Sequence, residues 1–135
     1  MPCVQNVSFD DVKQDKFNLK DRNTLLISIT DNDMPYPTHL GVDFWSAVYY
    51  QFLDVDSPQY KQAISEGQAK GIIQWLEFAK RHNKDVLVHC MMGVNRSGAV
   101  REVAEILGFE VIGQKQGYNA YVKTKLMQAA GLTYE

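Results

Sequence analysis

Apolar residues recur along the chain with two different spacings, which predict alternating strands and helices. Short runs rich in branched and aromatic side chains are typical of buried strands, and they occupy residues 25–29, 48–53 and 86–88. Apolar residues at helical spacing predict helices over 59–81, 99–107 and 118–130. This alternation indicates an α/β fold: a single domain over residues 1–135, with a central, mostly parallel sheet flanked by helices on both faces.

The boundaries of these elements follow from capping residues. Ser57 before Pro58 predicts the start of the first long helix, because Ser is a good cap and Pro suits the first helical position. Gly108 and Gly131 predict the ends of the two later helices. Within the first helix, Trp75 and Phe78 are predicted to lie in the core.

The two ends of the chain give weaker signals. Val4 and Val7 predict a short strand at an edge of the sheet. Residues 10–22 alternate charges with few apolar side chains, which predicts a solvated segment, and 109–116 is predicted to be a connection.

Composition narrows the class of protein. A chain of 135 residues with 45% hydrophobic and 22% charged residues is typical of one soluble globular domain. Its formal net charge of -2 gives no reason to expect nucleic acid or an acidic membrane as a partner. No apolar run approaches the ~20 residues of a membrane helix, and no signal peptide is apparent. We therefore expect a cytoplasmic protein.

The two cysteines, Cys3 and Cys90, are too few for a disulfide framework and suit a reducing compartment. Cys3 is most simply an incidental residue near the terminus. The alternative is a partner thiol that protects Cys90 as a disulfide, which requires the two residues to lie within bridging distance.

Candidate chemistry is concentrated where the strand over 86–88 runs into His89 and Cys90 and a helix begins soon afterwards. Unpaired N–H groups at the start of a helix favour anions, and Gly93 lets successive N–H groups curl into a nest. Arg96 offers a planar fork that matches phosphate geometry. Such surroundings favour the thiolate, which is the nucleophilic form of cysteine. The segment therefore combines a nucleophile with an oxyanion receptor.

The pattern His-Cys-x-x-Gly-x-x-Arg-Ser over His89–Ser97 resembles the signature loop of the cysteine-based protein tyrosine phosphatases, and most closely that of their dual-specificity branch. A buried structural Cys beside a chance Arg is the alternative. The resemblance implies that Cys90 is the nucleophile and that Arg96 and the loop bind phosphate. The phosphate-binding positions are Met91, Met92, Gly93, Val94, Asn95 and Arg96.

The resemblance also implies roles for neighbours of this loop. Ser97 is expected to donate a hydrogen bond to the Cys90 sulfur, with helix capping as the alternative. His89 points away from Cys90 because side chains alternate along a strand, so it is expected to support the thiol rather than act as a base. Asn95 is expected to hold the loop in shape, with simple solvent exposure as its alternative. Asn119 and Leu126 fit an Asn-x-x-aromatic-x-x-Gln-Leu pattern that is otherwise not kept.

The reaction needs a general acid to protonate the leaving oxygen. Asp56 lies 34 residues before Cys90, on the loop where the family carries its acid, and we predict that it is this acid. Asp54 is the second candidate, and Asp31 and Asp33 follow another strand end. The alternative for Asp56 is a helix cap.

These residues predict a metal-independent phosphatase that forms a cysteinyl-phosphate, with Cys90, Arg96, Asp56 and Ser97 as catalytic residues. No cofactor is expected, and the scattered His and Cys lack metal-ligand spacing. Relatives in this family that act on inositol phospholipids or RNA ends often carry Lys or Arg inside the loop, and this loop has neither at its variable positions. The resemblance therefore implies a phosphoprotein substrate, with phosphotyrosine first and phosphoserine or phosphothreonine second. Tyr36 and His39 are candidate substrate contacts, with local packing as the alternative. The oligomeric state is left open.

Three other functions compete with this one. The first is a binding module that captures phosphoproteins without turnover, and the second is a phosphatase for a non-protein phosphate ester. The third is a sulfur-transfer or arsenate-reducing enzyme with the same loop.

Overall fold

The computed structural model describes residues 2–14, 16–19, 23–31, 44–113 and 115–132. Its strands are β1 (Cys3–Ser8), β2 (Thr24–Thr30), β3 (Ser46–Gln51), β4 (Asp85–Cys90) and β5 (Glu110–Val111). Its helices are α1 (Phe9–Lys13), α2 (Glu66–Arg81), α3 (Asn95–Ile106) and α4 (Ala120–Ala129). The described strands form one sheet in the order β3-β2-β4-β1-β5, and every pairing is parallel. The predicted α/β class and the parallel sheet are therefore confirmed.

The sheet has a large core on one face and a smaller core on the other. The large core joins Ile27 and Val88 to apolar residues of α2, α3 and α4, such as Leu76 and Val103. The smaller core packs alternate sheet residues against α1 and the segment that follows it. Its buried members are Val7, Val12, Phe17, Leu26 and Leu87. Strand residues of opposite parity thus serve the two faces, as the pleat of a strand requires.

The first long helix begins later than predicted. It starts at Glu66, and Ser65 caps it: the Ser65 side chain accepts from the Gln68 amide, and the Gln68 side chain accepts from the Ser65 amide. The Ser57 prediction was wrong because the chain there folds back instead, so that the Leu53 amide donates to the Gln62 carbonyl at 2.7 Å. This reciprocal cap is a stronger helix start than a lone Ser before Pro.

Two predictions for the ends of the chain were also wrong. β1 is not an edge strand, because β5 forms within the predicted connection and pairs with its outer side. Residues 10–22 are not uniformly solvated, since Val12 and Phe17 are buried in the smaller core. Ser8 caps α1 directly after β1, and this helix places Val12 in the smaller core.

Aromatic residues of α2 lie nearer the surface than predicted. Phe78 is 36% exposed and stacks on Trp45 with ring centroids 5.5 Å apart, while Trp75 is half-buried against the large core. No helix in the described ranges is both long and apolar enough to cross a membrane.

Candidate active site

The end of β4, the bend after it and the start of α3 form one continuous site. Cys90 is the last residue of β4 and is 2% exposed. Its Sγ lies 3.2 Å from Ser97 Oγ, within hydrogen-bond distance. Ser97 does not cap α3, because the helix begins two residues earlier, at Asn95. The serine hydroxyl is therefore directed at the cysteine sulfur from inside the first turn.

The first turn of α3 has no side-chain cap of its own. Val94 occupies the cap position, and its apolar side chain cannot accept hydrogen bonds from the free N–H groups of the first turn. These donors remain unsatisfied unless an anion or solvent accepts from them. This arrangement suits an oxyanion beside Cys90.

Gly93 fixes how closely the loop approaches the sheet. Its φ is 74°, in the left-handed region, and a Cβ there would lie 2.6 Å from the backbone nitrogen of Ser8. The Gly93 carbonyl accepts from the Asn6 side chain at 2.8 Å, and the Met91 carbonyl accepts from the Phe9 amide at 3.2 Å. The loop is thus held from behind by β1 and the start of α1.

Arg96 is buried, with 5% of its side chain exposed. One terminal nitrogen, Nη1, donates to Asp31 at 2.7 Å and to the Phe52 carbonyl at 2.8 Å. The Nε group is also buried, and it has no hydrogen-bond partner among the described residues. A buried donor of this kind costs stability unless a ligand accepts from it. Asp31, a minor acid candidate in the sequence, here orients the guanidinium.

His89 lies on the face of the sheet opposite Cys90. The ring is fully buried, and its Nε2 lies 2.5 Å from Ser28 Oγ on the neighbouring strand β2. Phe9 contacts it edge-on, with centroids 6.2 Å apart. The imidazole is thus fixed by hydrogen bonding and packing, and it does not point into the site.

Asp54 and Asp56 differ in their partners. Both Asp54 oxygens accept hydrogen bonds, one from the Asn95 side chain at 2.8 Å and one from the Asn119 side chain at 2.7 Å. Asp56 is exposed and makes no hydrogen bond to the described residues. Asp56 also does not cap a helix, since α2 starts at Glu66.

An open cavity of about 710 Å³ lies beside these two carboxylates. Its lining is rich in tyrosine and contains no Lys or Arg among the described residues. The lining residues are Asp54, Val55, Asp56, Tyr60, Asn95, Tyr118, Asn119, Ala120, Tyr121 and Thr124. Asn119 also caps α4, where its side chain accepts from the Val122 amide.

A buried charge network behind the loop was not predicted from the sequence. Arg101 is 1% exposed within α3 and donates to Glu102 at 2.8 Å and to Asn6 at 3.4 Å. Burial favours the neutral form of Glu102, but the hydrogen bond and charge of Arg101, together with Lys123, outweigh burial and hold the pKa of Glu102 below its usual value. Asn6 links this network to the Gly93 carbonyl.

Cys3 lies far from the site. Ser8 pairs with Cys90 in the sheet, and Cys3 is at the opposite end of β1, about 17 Å away at the rise of a strand. This separation excludes a disulfide between them in this fold, and both thiols are free. Asp33, Tyr36 and His39 lie outside the described residues. Within the described ranges, no three His, Cys, Asp or Glu side chains converge on a possible metal site.

Two solved phosphatase structures have a similar fold. Human DUSP28 superposes with a TM-score of 0.55 at 15% identity, over 99% of this chain and 83% of that one. OH1 from the Orf virus, a tyrosine phosphatase with triple substrate specificity, superposes with a TM-score of 0.56 at 17% identity, over 95% and 82%. No family model matches the sequence, and no curated protein matches it significantly. The fold is therefore that of the dual-specificity phosphatases, as the loop motif predicted.

Proposed function

We propose that this protein is a cysteine-dependent phosphatase that hydrolyses phosphotyrosine in proteins. The observation that carries the proposal is the convergence of three groups at one helix start. Cys90 Sγ is in contact with Ser97 Oγ, and the buried Arg96 beside them keeps an unpartnered Nε. A nucleophile, a group that stabilises it as it departs, and an oxyanion donor are the parts that covalent phosphoryl transfer requires.

The reaction proceeds in two steps. The Cys90 thiolate attacks phosphorus, the ester P–O bond breaks, and Asp56 gives its proton to the leaving oxygen. Water then attacks the cysteinyl-phosphate, Asp56 takes a proton from that water, and the S–P bond breaks to release phosphate and the thiolate. Arg96 and the N–H groups of residues 91–97 hold the three equatorial oxygens in both steps. Ser97 donates to the departing sulfur.

Asp56 suits the acid role better than Asp54. Its carboxylate is exposed, unpartnered among the described residues and beside the cavity. Both Asp54 oxygens already accept from amide groups, and a proton on either would face an N–H donor. The same group must give a proton in the first step and take one in the second, so its carboxyl oxygens must not be held by other hydrogen bonds.

The surroundings of the loop support a protein substrate. Met92 is 79% exposed at its rim, and the adjoining cavity offers tyrosine rings and carboxylates without a described basic residue. A substrate with several phosphate groups would meet repulsion there rather than pairing. A peptide with one phosphotyrosine fits this lining better than an inositol phospholipid or an RNA end.

The test is hydrolysis of an aryl phosphate with a chelator present, in the parent and in Cys90→Ser, Asp56→Asn and Asp54→Asn. Turnover that Cys90→Ser abolishes supports covalent catalysis. Loss in Asp56→Asn that grows as the leaving group becomes poorer supports the acid assignment. A folded parent that binds a phosphotyrosine peptide without turnover would instead be a binding module.

A further inference from the structure

We infer that Asp54 is a positioning residue; this role rests on the proposed function. It ties the loop between β3 and α2 that carries Asp56, which we call the acid loop, to the loop over residues 91–97, which we call the phosphate loop, and to the start of α4. Asp54 stands two residues before the proposed acid. Its Oδ2 accepts from Asn95 at 2.8 Å and its Oδ1 accepts from Asn119 at 2.7 Å. One carboxylate thus joins three segments that are distant in sequence.

Further contacts close this arrangement. The Asn119 side chain also donates to the Val55 carbonyl at 3.0 Å, and the Asn119 amide donates to the Asn95 carbonyl at 2.9 Å. Asn119 therefore contacts the acid loop at two successive residues, through the side chain of Asp54 and the carbonyl of Val55. We call the group of Asp54, Asn95 and Asn119 the loop clamp.

The contacts of Asp54 in the loop clamp are made by side chains, which act on both reacting groups without binding the phosphate themselves. Asn95 directly precedes Arg96, and only Val55 separates Asp54 from Asp56. Holding Asn95 and Asp54 together fixes the distance between the oxyanion receptor and the loop that carries the acid. Misplacement of reacting groups by ~1 Å can cost on the order of a hundredfold in rate. We expect breaking the clamp to lower kcat by about tenfold to a hundredfold.

An exchange of chemical groups tests the clamp sharply. Asp54→Asn places an amide NH₂ against one of two NH₂ donors, and Asn119→Asp places a carboxylate against the Asp54 carboxylate. Each single substitution therefore breaks one arm to position 54, and Asn119→Asp also removes the donor to the Val55 carbonyl. In the double variant, the new amide at position 54 can accept from Asn95 and donate to the new carboxylate at position 119, so both arms to position 54 form again while the contact with the Val55 carbonyl stays lost. Asp caps helices about as well as Asn, so the start of α4 is kept throughout.

The experiment compares kcat and KM of the parent, the two single variants and the double variant on aryl phosphates with good and poor leaving groups. We expect each single variant to lose a similar factor of kcat on all leaving groups and to keep the basic limb of its pH profile. We expect the double variant to be more active than Asn119→Asp, which lacks the same donor to the Val55 carbonyl. Urea unfolding verifies that every variant is folded at the assay temperature.

Three results would overturn the inference. The first is a kcat of Asp54→Asn within twofold of the parent, and the second is a double variant no better than the poorer single variant. The third is a loss confined to poor leaving groups with the basic limb gone, which would make Asp54 the acid. Failure of the proposed function is separate, because it appears in the parent as absence of Cys90-dependent turnover. In that case the clamp has no reaction to position and the inference falls with it.

Discussion

Gly93→Ala tests whether the close approach of the phosphate loop to β1 determines the geometry of the candidate active site. Gly93→Ala places a side chain at a φ of 74°, where a Cβ would lie 2.6 Å from the Ser8 nitrogen and 2.7 Å from the Val7 carbonyl carbon. The left-handed backbone costs roughly 1–2 kcal/mol for a residue with a Cβ. Overpacking against rigid backbone costs roughly a further 1–3 kcal/mol. The sum is about 2–5 kcal/mol, against a total stability of about 5–15 kcal/mol for a domain.

Gly131→Ala is the matched control. Gly131 has the same φ of 74°, at the end of α4, but a Cβ there would meet no described atom within 4 Å. It therefore carries only the backbone cost, roughly 1–2 kcal/mol. The difference between the two variants isolates the contact between the loop and β1.

Urea unfolding at neutral pH gives the two free energies, and aryl phosphate turnover of the folded protein gives the effect on the site. We expect Gly93→Ala to be less stable than Gly131→Ala by about 1–3 kcal/mol and to lose most of its activity, while Gly131→Ala keeps parental activity. Equal destabilisation of the two variants, with parental activity in both, would refute the argument that β1 fixes the loop.

Three further predictions follow from individual contacts. Ser97→Ala removes the hydroxyl 3.2 Å from the Cys90 sulfur. Since a hydrogen bond to a charged group is worth about 1.5–3 kcal/mol, hydrolysis of the cysteinyl-phosphate should slow by about tenfold to a hundredfold, which is seen as a product burst. An unchanged steady-state rate without a burst would contradict this prediction. Because Arg101 and Lys123 outweigh burial and lower the pKa of Glu102, its stabilising charge is present above the unfolded pKa of about 4.3 and is lost as pH falls through the folded value. Glu102→Gln should therefore flatten the decline of the urea midpoint below about pH 4.5, and a decline as steep as the parent's would argue against the network. Burial, then Asp85 and Glu110, raise the pKa of Cys3, so in Cys90→Ser the midpoint of its alkylation rate against pH should lie above the ordinary value of about 8.5. A midpoint at or below that value would contradict the raised pKa.

The parts of the fold and site that could be predicted are those coded by contiguous residues. The loop from His89 to Ser97 could be identified because strand, bend, Gly and Arg follow one another directly. The alternation of apolar spacings gave the parallel α/β sheet for the same reason. The start of α2 was also within reach, since Gln68 stands three residues after Ser65 and completes a capping box.

Contacts between distant residues could not be predicted in this way. Asp31 meets Arg96 across 65 residues of sequence, and Ser28 meets His89 across 61 residues. Both pairs depend on which strands are neighbours, and the hydrophobic pattern of a strand does not specify its neighbour. The position of β1 inside the sheet depends likewise on β5, which is only two residues long.

The buried Arg101 shows a second limit. The apolar positions of α3 predicted a helix packed on the sheet, and that packing is present. A charged residue on such a helix is ordinarily placed toward solvent. Arg101 instead donates to Glu102 and to Asn6 of β1, while its buried Nε has no partner among the described residues. The contact with Asn6 becomes visible only when β1 is known to lie beneath α3.

The central claim is that phosphate passes through the Cys90 sulfur. The most direct measurement is acid quenching of Ser97→Ala during turnover of an activated aryl phosphate, followed by the intact mass and by mapping of the modified peptide. We predict a protein heavier by one phosphoryl group, with that group on the peptide containing Cys90, and no such species in the double variant that also carries Cys90→Ser. Rapid turnover with no phosphorylated protein, or an adduct that persists without Cys90, would contradict the mechanism.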